Sequence, residues 1–143
     1  MENHGFRQAF GPHLIIDGYG CRPELLSDAE LVRRFLDETP AAIGMTKISP
    51  PVVMKTDEGV SGFVIIAESH ISLHTWVQKK EIRIDLFSCK VFNQRLVVNL
   101  SCAAFDFSLA NVKLLERGLE FPRNKAAVAA FLLDERDGEK NRA

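Results

Sequence analysis

The sequence predicts an α+β fold, a two-layer sandwich with a mainly antiparallel sheet and helices on one face. Three observations predict it. Two successive runs, "HISLHTW" and "EIRIDLFSC", alternate apolar and polar residues at the two-residue period of half-buried strands. Two other stretches carry helix caps followed by apolar residues at helical spacing. The resulting order is strand, helix, four strands, helix, strand, which suits one sheet covered on one side.

Each element has its own signal. "HLIIDGY", residues 13–19, reads as a strand closed by Gly18 and Gly20. Ser27 and Glu30 have the S-x-x-E spacing of a capping box. Leu31, Phe35 and Leu36 then form an apolar stripe, and Pro40 is expected to end that helix. "TKISPPVVMK" is extended, and Pro50 with Pro51 places it at a sheet edge or bulge. "VSGFVIIA", residues 60–67, reads as a buried strand. In the next run Ile71, Leu73 and Thr75 share one face, with His70, Ser72, His74 and Trp76 on the other. After it, Ile82, Ile84 and Leu86 oppose Arg83, Asp85, Phe87 and Cys89. Asn93 caps a second helix with Leu96, Val97 and Leu100 inward. "NVKLLERG" returns as a strand ending at Gly118, and "RNKAAVAAFLL" makes a C-terminal helix. From about residue 134 a flexible tail is expected.

A length of 143 residues suits one domain spanning 1–143 with a single core. A formal net charge of -1 gives no global field toward nucleic acid or an anionic membrane, so neither is expected as a partner. No apolar run reaches the roughly 18 residues of a membrane helix. The start, "MENHGFRQAF", lacks the apolar core of a signal peptide, so a cytoplasmic location is expected. Cys21, Cys89 and Cys102 are odd in number and have no C-x-x-C spacing. Neither a disulfide framework nor a metal site is indicated.

The stretch "AESHISLHTW" is the unusual one, because a mostly apolar strand runs into Glu68, Ser69 and His70 and meets His74 four residues later. Taken singly, each residue has an ordinary explanation: a strand serine, a hydrogen-bonded histidine, a small core thiol. Together with Cys89 at the end of the next strand, they offer a nucleophile, a base and an acid on one sheet face.

This segment closely resembles the self-cleavage segment of the prokaryotic S-adenosylmethionine decarboxylases, a family of pyruvoyl enzymes. "HLIIDGYGC", "GVSG" and "DLFSC" fall in the family's order, and the resemblance runs from about His13 to Gly118. It implies that the Glu68–Ser69 peptide bond cuts itself. The Ser69 hydroxyl attacks the Glu68 carbonyl, β-elimination frees residues 1–68, and the dehydroalanine heading 69–143 hydrolyses to a pyruvoyl group. Ser61 maps onto the processing serine and helps hold the oxyanion. His74 maps onto the processing base that takes the α-proton. Gly59 and Gly62 are expected to permit close backbone approach. Cys89 maps onto the proton donor, used after the pyruvoyl ketone has bound the substrate amine as a Schiff base and carbon dioxide has left. The implied substrate is a small molecule, S-adenosylmethionine, whose decarboxylated form supplies aminopropyl groups for spermidine synthesis. Prokaryotic members are commonly homodimers of cleaved protomers, with residues of both protomers near each site.

Two positions depart from the family. Its usual His-Thr-Trp-Pro-Glu reads "HTWVQ" here, so Gln78 stands where a glutamate grips the ribose hydroxyls. Lys55 stands where an aromatic commonly stacks on adenine. Both remain candidate substrate contacts, with Phe63 and Trp76 as substitute rings. The altered pair leaves a runner-up, a pyruvoyl decarboxylase of arginine or ornithine. A third reading, an uncleaved regulatory homologue, fits poorly with four separated reactive residues kept together.

Overall fold

The computed structural model of the chain describes residues 10–118 and 123–140. Seven strands and four helices follow the order β1 (Gly11–Tyr19), α1 (Pro23–Leu26), α2 (Ala29–Ala42), β2 (Thr46–Lys47), β3 (Val52–Lys55), β4 (Val60–Ala67), β5 (Ser69–Trp76), β6 (Glu81–Ser88), α3 (Gln94–Phe105), β7 (Leu109–Arg117) and α4 (Lys125–Lys140). The strands form one sheet in the order β2-β4-β5-β6-β1-β7, with β3 also paired to β4. Every pairing is antiparallel.

One face of this sheet is the core. Leu14 and Ile16 of β1, Val64 and Ile66 of β4, Ile71 and Leu73 of β5, and Ile82, Ile84 and Leu86 of β6 meet Leu26, Val32, Phe35, Leu36, Val97 and Phe105 from α1 to α3. Thr75 continues that face and is buried, yet its hydroxyl is fully used. It accepts from the Val60 amide at 2.8 Å and donates to the Leu26 carbonyl at 2.7 Å. A buried hydroxyl without such partners would cost about 1–3 kcal/mol.

Several sequence expectations need correction. Asp28, not Ser27, caps α2, accepting from the Leu31 amide at 3.0 Å. Ser27 is consumed as the C-cap of the short helix α1, which starts at Pro23, where a missing N–H costs nothing. Pro40 lies inside α2 rather than ending it. The amides that follow it still find partners, Ile43 on the Thr39 carbonyl and Gly44 on that of Ala41, so the helix carries on to Ala42. β4 is buried on one side only: Phe63 and Ile65 are 43% and 44% exposed, because helices cover a single face. Ser101 and Phe105 are the buried residues beside Val97 in α3, while Leu96 is half-buried. β6 ends at Ser88, so Cys89 has left the strand's alternation. The stretch expected to be a tail from about residue 134 falls within α4 as far as Lys140, which leaves its flexibility untested, and residues 141–143 lie outside the described residues.

Candidate active site

The open face of the sheet positions the polar residues. Antiparallel register sets His74 of β5 directly opposite Ser61 of β4. Both point away from the helices, and His74 Nδ1 and Ser61 Oγ share a hydrogen bond of 2.8 Å. Two residues that are 13 apart in the chain thus become one hydroxyl–imidazole unit. Gly59 meets backbone as expected, whereas Gly62 is pressed chiefly by a side chain. A Cβ on Gly59 would fall 2.0 Å from the Thr75 carbonyl oxygen, and one on Gly62 would fall 2.8 Å from a Leu36 methyl.

At the other end of β5, register sets Ser69 opposite Ser88. Ser69 has φ of 145°, a region that glycine enters readily and other residues only under strain. The Glu68 carbonyl accepts from the Cys89 amide at 3.4 Å. Ser88 Oγ in turn accepts from the Lys90 amide at 3.0 Å, closing a tight turn around Cys89. The Cys89 thiol is half-buried and lines a cavity of about 250 Å³ with Phe10, Gly11, Val91, Gln94 and Leu114.

These two groups do not meet within one chain. His74 lies five residues beyond Ser69 along an extended strand, about 17 Å at ~3.3 Å per residue. Ser61 is equally remote, since the β4 residue opposite Ser69 is Ile66. The expected single cluster of nucleophile, base and acid is therefore two half-clusters at opposite ends of β5.

Gln78 lines a further cavity of about 300 Å³ with Trp76, Asp57, Glu58 and Lys79. A bond from the Val77 amide to the Glu58 carbonyl, 3.0 Å, ties the two sides together. Lys55 ends β3 on an exposed position and is not among that cavity's lining residues. Between the two ends run groups that sequence reasoning left unassigned. His13 Nε2 bonds Asp85 Oδ1 at 3.0 Å. Arg83 pairs with Glu81 at 2.8 Å and Asp17 at 3.4 Å, with the rings of Tyr19 and Trp76 at 5.1 and 5.5 Å. Strand alternation puts His13 opposite in direction to Leu14 and Ile16, which was the available signal. Cys21 is a different kind of thiol. It is buried, and desolvation pushes its pKa up to about 11, far from the range of a useful acid or nucleophile. Among the described residues no group of three or more His, Cys, Asp or Glu is placed to hold a metal ion, and no helix is long and apolar enough to cross a membrane.

Residues 12–118 match the family profile described as S-adenosylmethionine decarboxylase. A Thermococcus kodakarensis protein named S-adenosylmethionine decarboxylase proenzyme is 34% identical over 115 residues, covering 79% of this chain and 80% of that one. A Clostridium botulinum protein of the same name is 36% identical over 109 residues, covering 76% and 94%. The crystal structure of the adenosylmethionine decarboxylase from Aquifex aeolicus superposes with a TM-score of 0.69 at 21% identity, covering 84% of this chain and 99% of that one. That last likeness speaks for the fold. Fold and matches together define a carboxy-lyase. The chain belongs to the S-adenosylmethionine decarboxylase family.

Proposed function

We propose that the chain is a self-processing, pyruvoyl-dependent decarboxylase of S-adenosylmethionine that supplies the aminopropyl donor for spermidine synthesis in the cytoplasm. The observation that carries the reading is the Glu68–Ser69 junction, where a strained serine follows a carbonyl already engaged by an amide donor. Ser69 Oγ attacks the Glu68 carbonyl carbon, its proton passes to the Ser69 nitrogen as the C–N bond breaks, and an ester replaces the amide. His74 removes the Cα proton of Ser69, and the Glu68 carboxylate leaves. The resulting enamine takes up water and releases ammonia, which leaves a pyruvoyl group at the head of 69–143 and Glu68 at the end of 1–68.

The residues fit that group: Ser69 supplies the three carbons, and the Cys89 turn borders it across the β5–β6 ladder. A pyruvoyl group supplies the electron sink into which a carboxylate can depart as carbon dioxide. Cys89 then gives its thiol proton to the carbon that lost the carboxylate. Gln78 holds the ribose hydroxyls as a neutral hydrogen-bonding partner, and Trp76, lining the same cavity, offers the nearest ring to the base. Phe63 is also available, because it lies on the open face. Lys55 contributes at most its aliphatic stem.

The distances support a second protomer. With the His74–Ser61 unit about 17 Å from Ser69 along its own strand, a second copy laid against the open face brings its own pair to the junction. Exposed Phe63 and Ile65 give that face the apolar patches an interface needs. The functional unit is then a homodimer of cleaved protomers, each site built from both.

Intact-mass analysis followed by carbon dioxide release tests this. The expected result is two fragments, 1–68 and 69–143, and release from S-adenosylmethionine. Release from arginine or ornithine alone would favour the amino-acid decarboxylase. An uncut, inactive chain would favour the regulatory homologue.

A further inference from the structure

Gly11 opens β1 at a contact that the cleavage residues do not account for. It is buried, and a Cβ built on it would fall 1.9 Å from the Ser88 carbonyl oxygen and 2.8 Å from Cys89 Cα. Real Cβ atoms do not approach backbone that closely, so any side chain at position 11 must push the Ser88–Cys89 backbone away. That backbone is the same one whose Cys89 amide donates to the Glu68 carbonyl oxygen at 3.4 Å. It is held from the other side by the Lys90 amide, which donates to Ser88 Oγ at 3.0 Å.

We propose that Gly11 is a positioning residue for self-cleavage: its missing side chain lets the Ser88–Cys89 turn sit where the Cys89 amide donates to the carbonyl that Ser69 attacks. The inference rests on cleavage at Glu68–Ser69 as described above. When Ser69 Oγ adds to the carbonyl carbon, the carbonyl π pair moves onto the oxygen and leaves an oxyanion there. A backbone N–H already aimed at that oxygen stabilises the charge without rearrangement, which is the basis of an oxyanion hole. A contact of 3.4 Å is long for a neutral carbonyl, and such contacts tighten as charge develops. Within one chain the remote Ser61 hydroxyl does not reach this oxygen, so the Cys89 amide is the donor the chain brings to its own junction.

The test separates this step from folding and from later chemistry. In Gly11→Ala the self-cleavage rate, followed by intact mass, should fall at least about 10-fold, since weakening one oxyanion donor costs less than the roughly 100-fold of removing it. Hydroxylamine identifies the step, because it splits the ester formed by acyl transfer but leaves the amide intact. His74→Ala accumulates ester and should be split by hydroxylamine. Gly11→Ala combined with His74→Ala should be split about 10-fold more slowly. Equal splitting, or an unchanged self-cleavage rate in Gly11→Ala, overturns the proposal. If Gly11→Ala does not fold, Ser88→Ala decides, since it frees the same turn from the Lys90 amide. Cleavage slowed by about 3-fold supports the role, and an unchanged rate overturns it. Wild-type protein that never cleaves removes the functional reading itself, a distinct outcome from wild-type protein that cleaves at the same rate as both variants.

Discussion

The two ends of β5 differ in geometry and in the groups they hold. At its start, Ser69 sits with φ of 145° beside a carbonyl engaged by the Cys89 amide. Toward its end, His74 is bonded to Ser61 across an undistorted ladder at 2.8 Å. The first end holds the Glu68–Ser69 junction and the Cys89 turn. The second holds the His74 imidazole and the Ser61 hydroxyl, bonded to each other. β5 keeps Ser69 and His74 five residues apart in sequence while separating them by about 17 Å. The contrast teaches that pairing register puts Ser69 and His74 at separate ends of one strand, which is why the proposed mechanism calls on a second copy.

The largest expected effect tests that pairing. Ser69→Ala should remain a single 143-residue chain on intact-mass analysis, and His74→Ala should fail to release its fragments. Coexpression of the two variants should restore cleavage of the His74→Ala chain, because its intact Ser69 can meet His74 of the other copy. No cleavage in the mixture would mean that both ends act within one chain.

Next in size is the thiol. Cys89→Ala keeps the backbone amide and loses the side-chain proton. Fragments 1–68 and 69–143 should still form, while carbon dioxide release falls by about 100-fold, the usual share of a positioned acid. Full turnover would reduce Cys89 to the lining of its cavity.

Thr75→Val sharpens the contrast between the covered and open faces. Valine keeps the shape but leaves the Val60 amide and the Leu26 carbonyl without their partner. A loss of about 2 kcal/mol is expected, read from the urea midpoint in the uncut Ser69→Ala background. The smallest effect belongs to Gln78. If it grips ribose hydroxyls, Gln78→Glu should tighten S-adenosylmethionine by about 1 kcal/mol, near five-fold, in a direct binding titration. Unchanged affinity would move the ribose elsewhere.

Much of this was legible in the chain itself. Alternation in "HISLHTW" and "EIRIDLFSC" assigned faces correctly for every strand residue, because a strand's period of two leaves no other choice once one face is apolar. Asn93 was readable as a cap for the same local reason: its side chain bonds the Leu96 amide three residues on, at 3.0 Å. Ser27 misled because two adjacent candidates compete for a cap, and the short helix ahead decides between them. Phe63 and Ile65 misled because an apolar run cannot report how many layers will cover it.

By itself, then, the sequence determined the α+β class and the antiparallel strands, and it singled out Ser61, Ser69, His74 and Cys89 as candidates. These depend on local periods and on residue types that motifs preserve. Tertiary structure alone decided which of them touch. Pairing register joined Ser61 to His74 and Ser69 to Ser88, and the length of β5 kept the pairs apart. The close approach of Gly11 to the Ser88–Cys89 backbone was likewise invisible, because 77 positions separate Gly11 from Ser88 and no local pattern links them. The physical reason is the same throughout: hydrogen-bond ladders and core burial act between segments, and their geometry exists only once the sheet has closed over its helices.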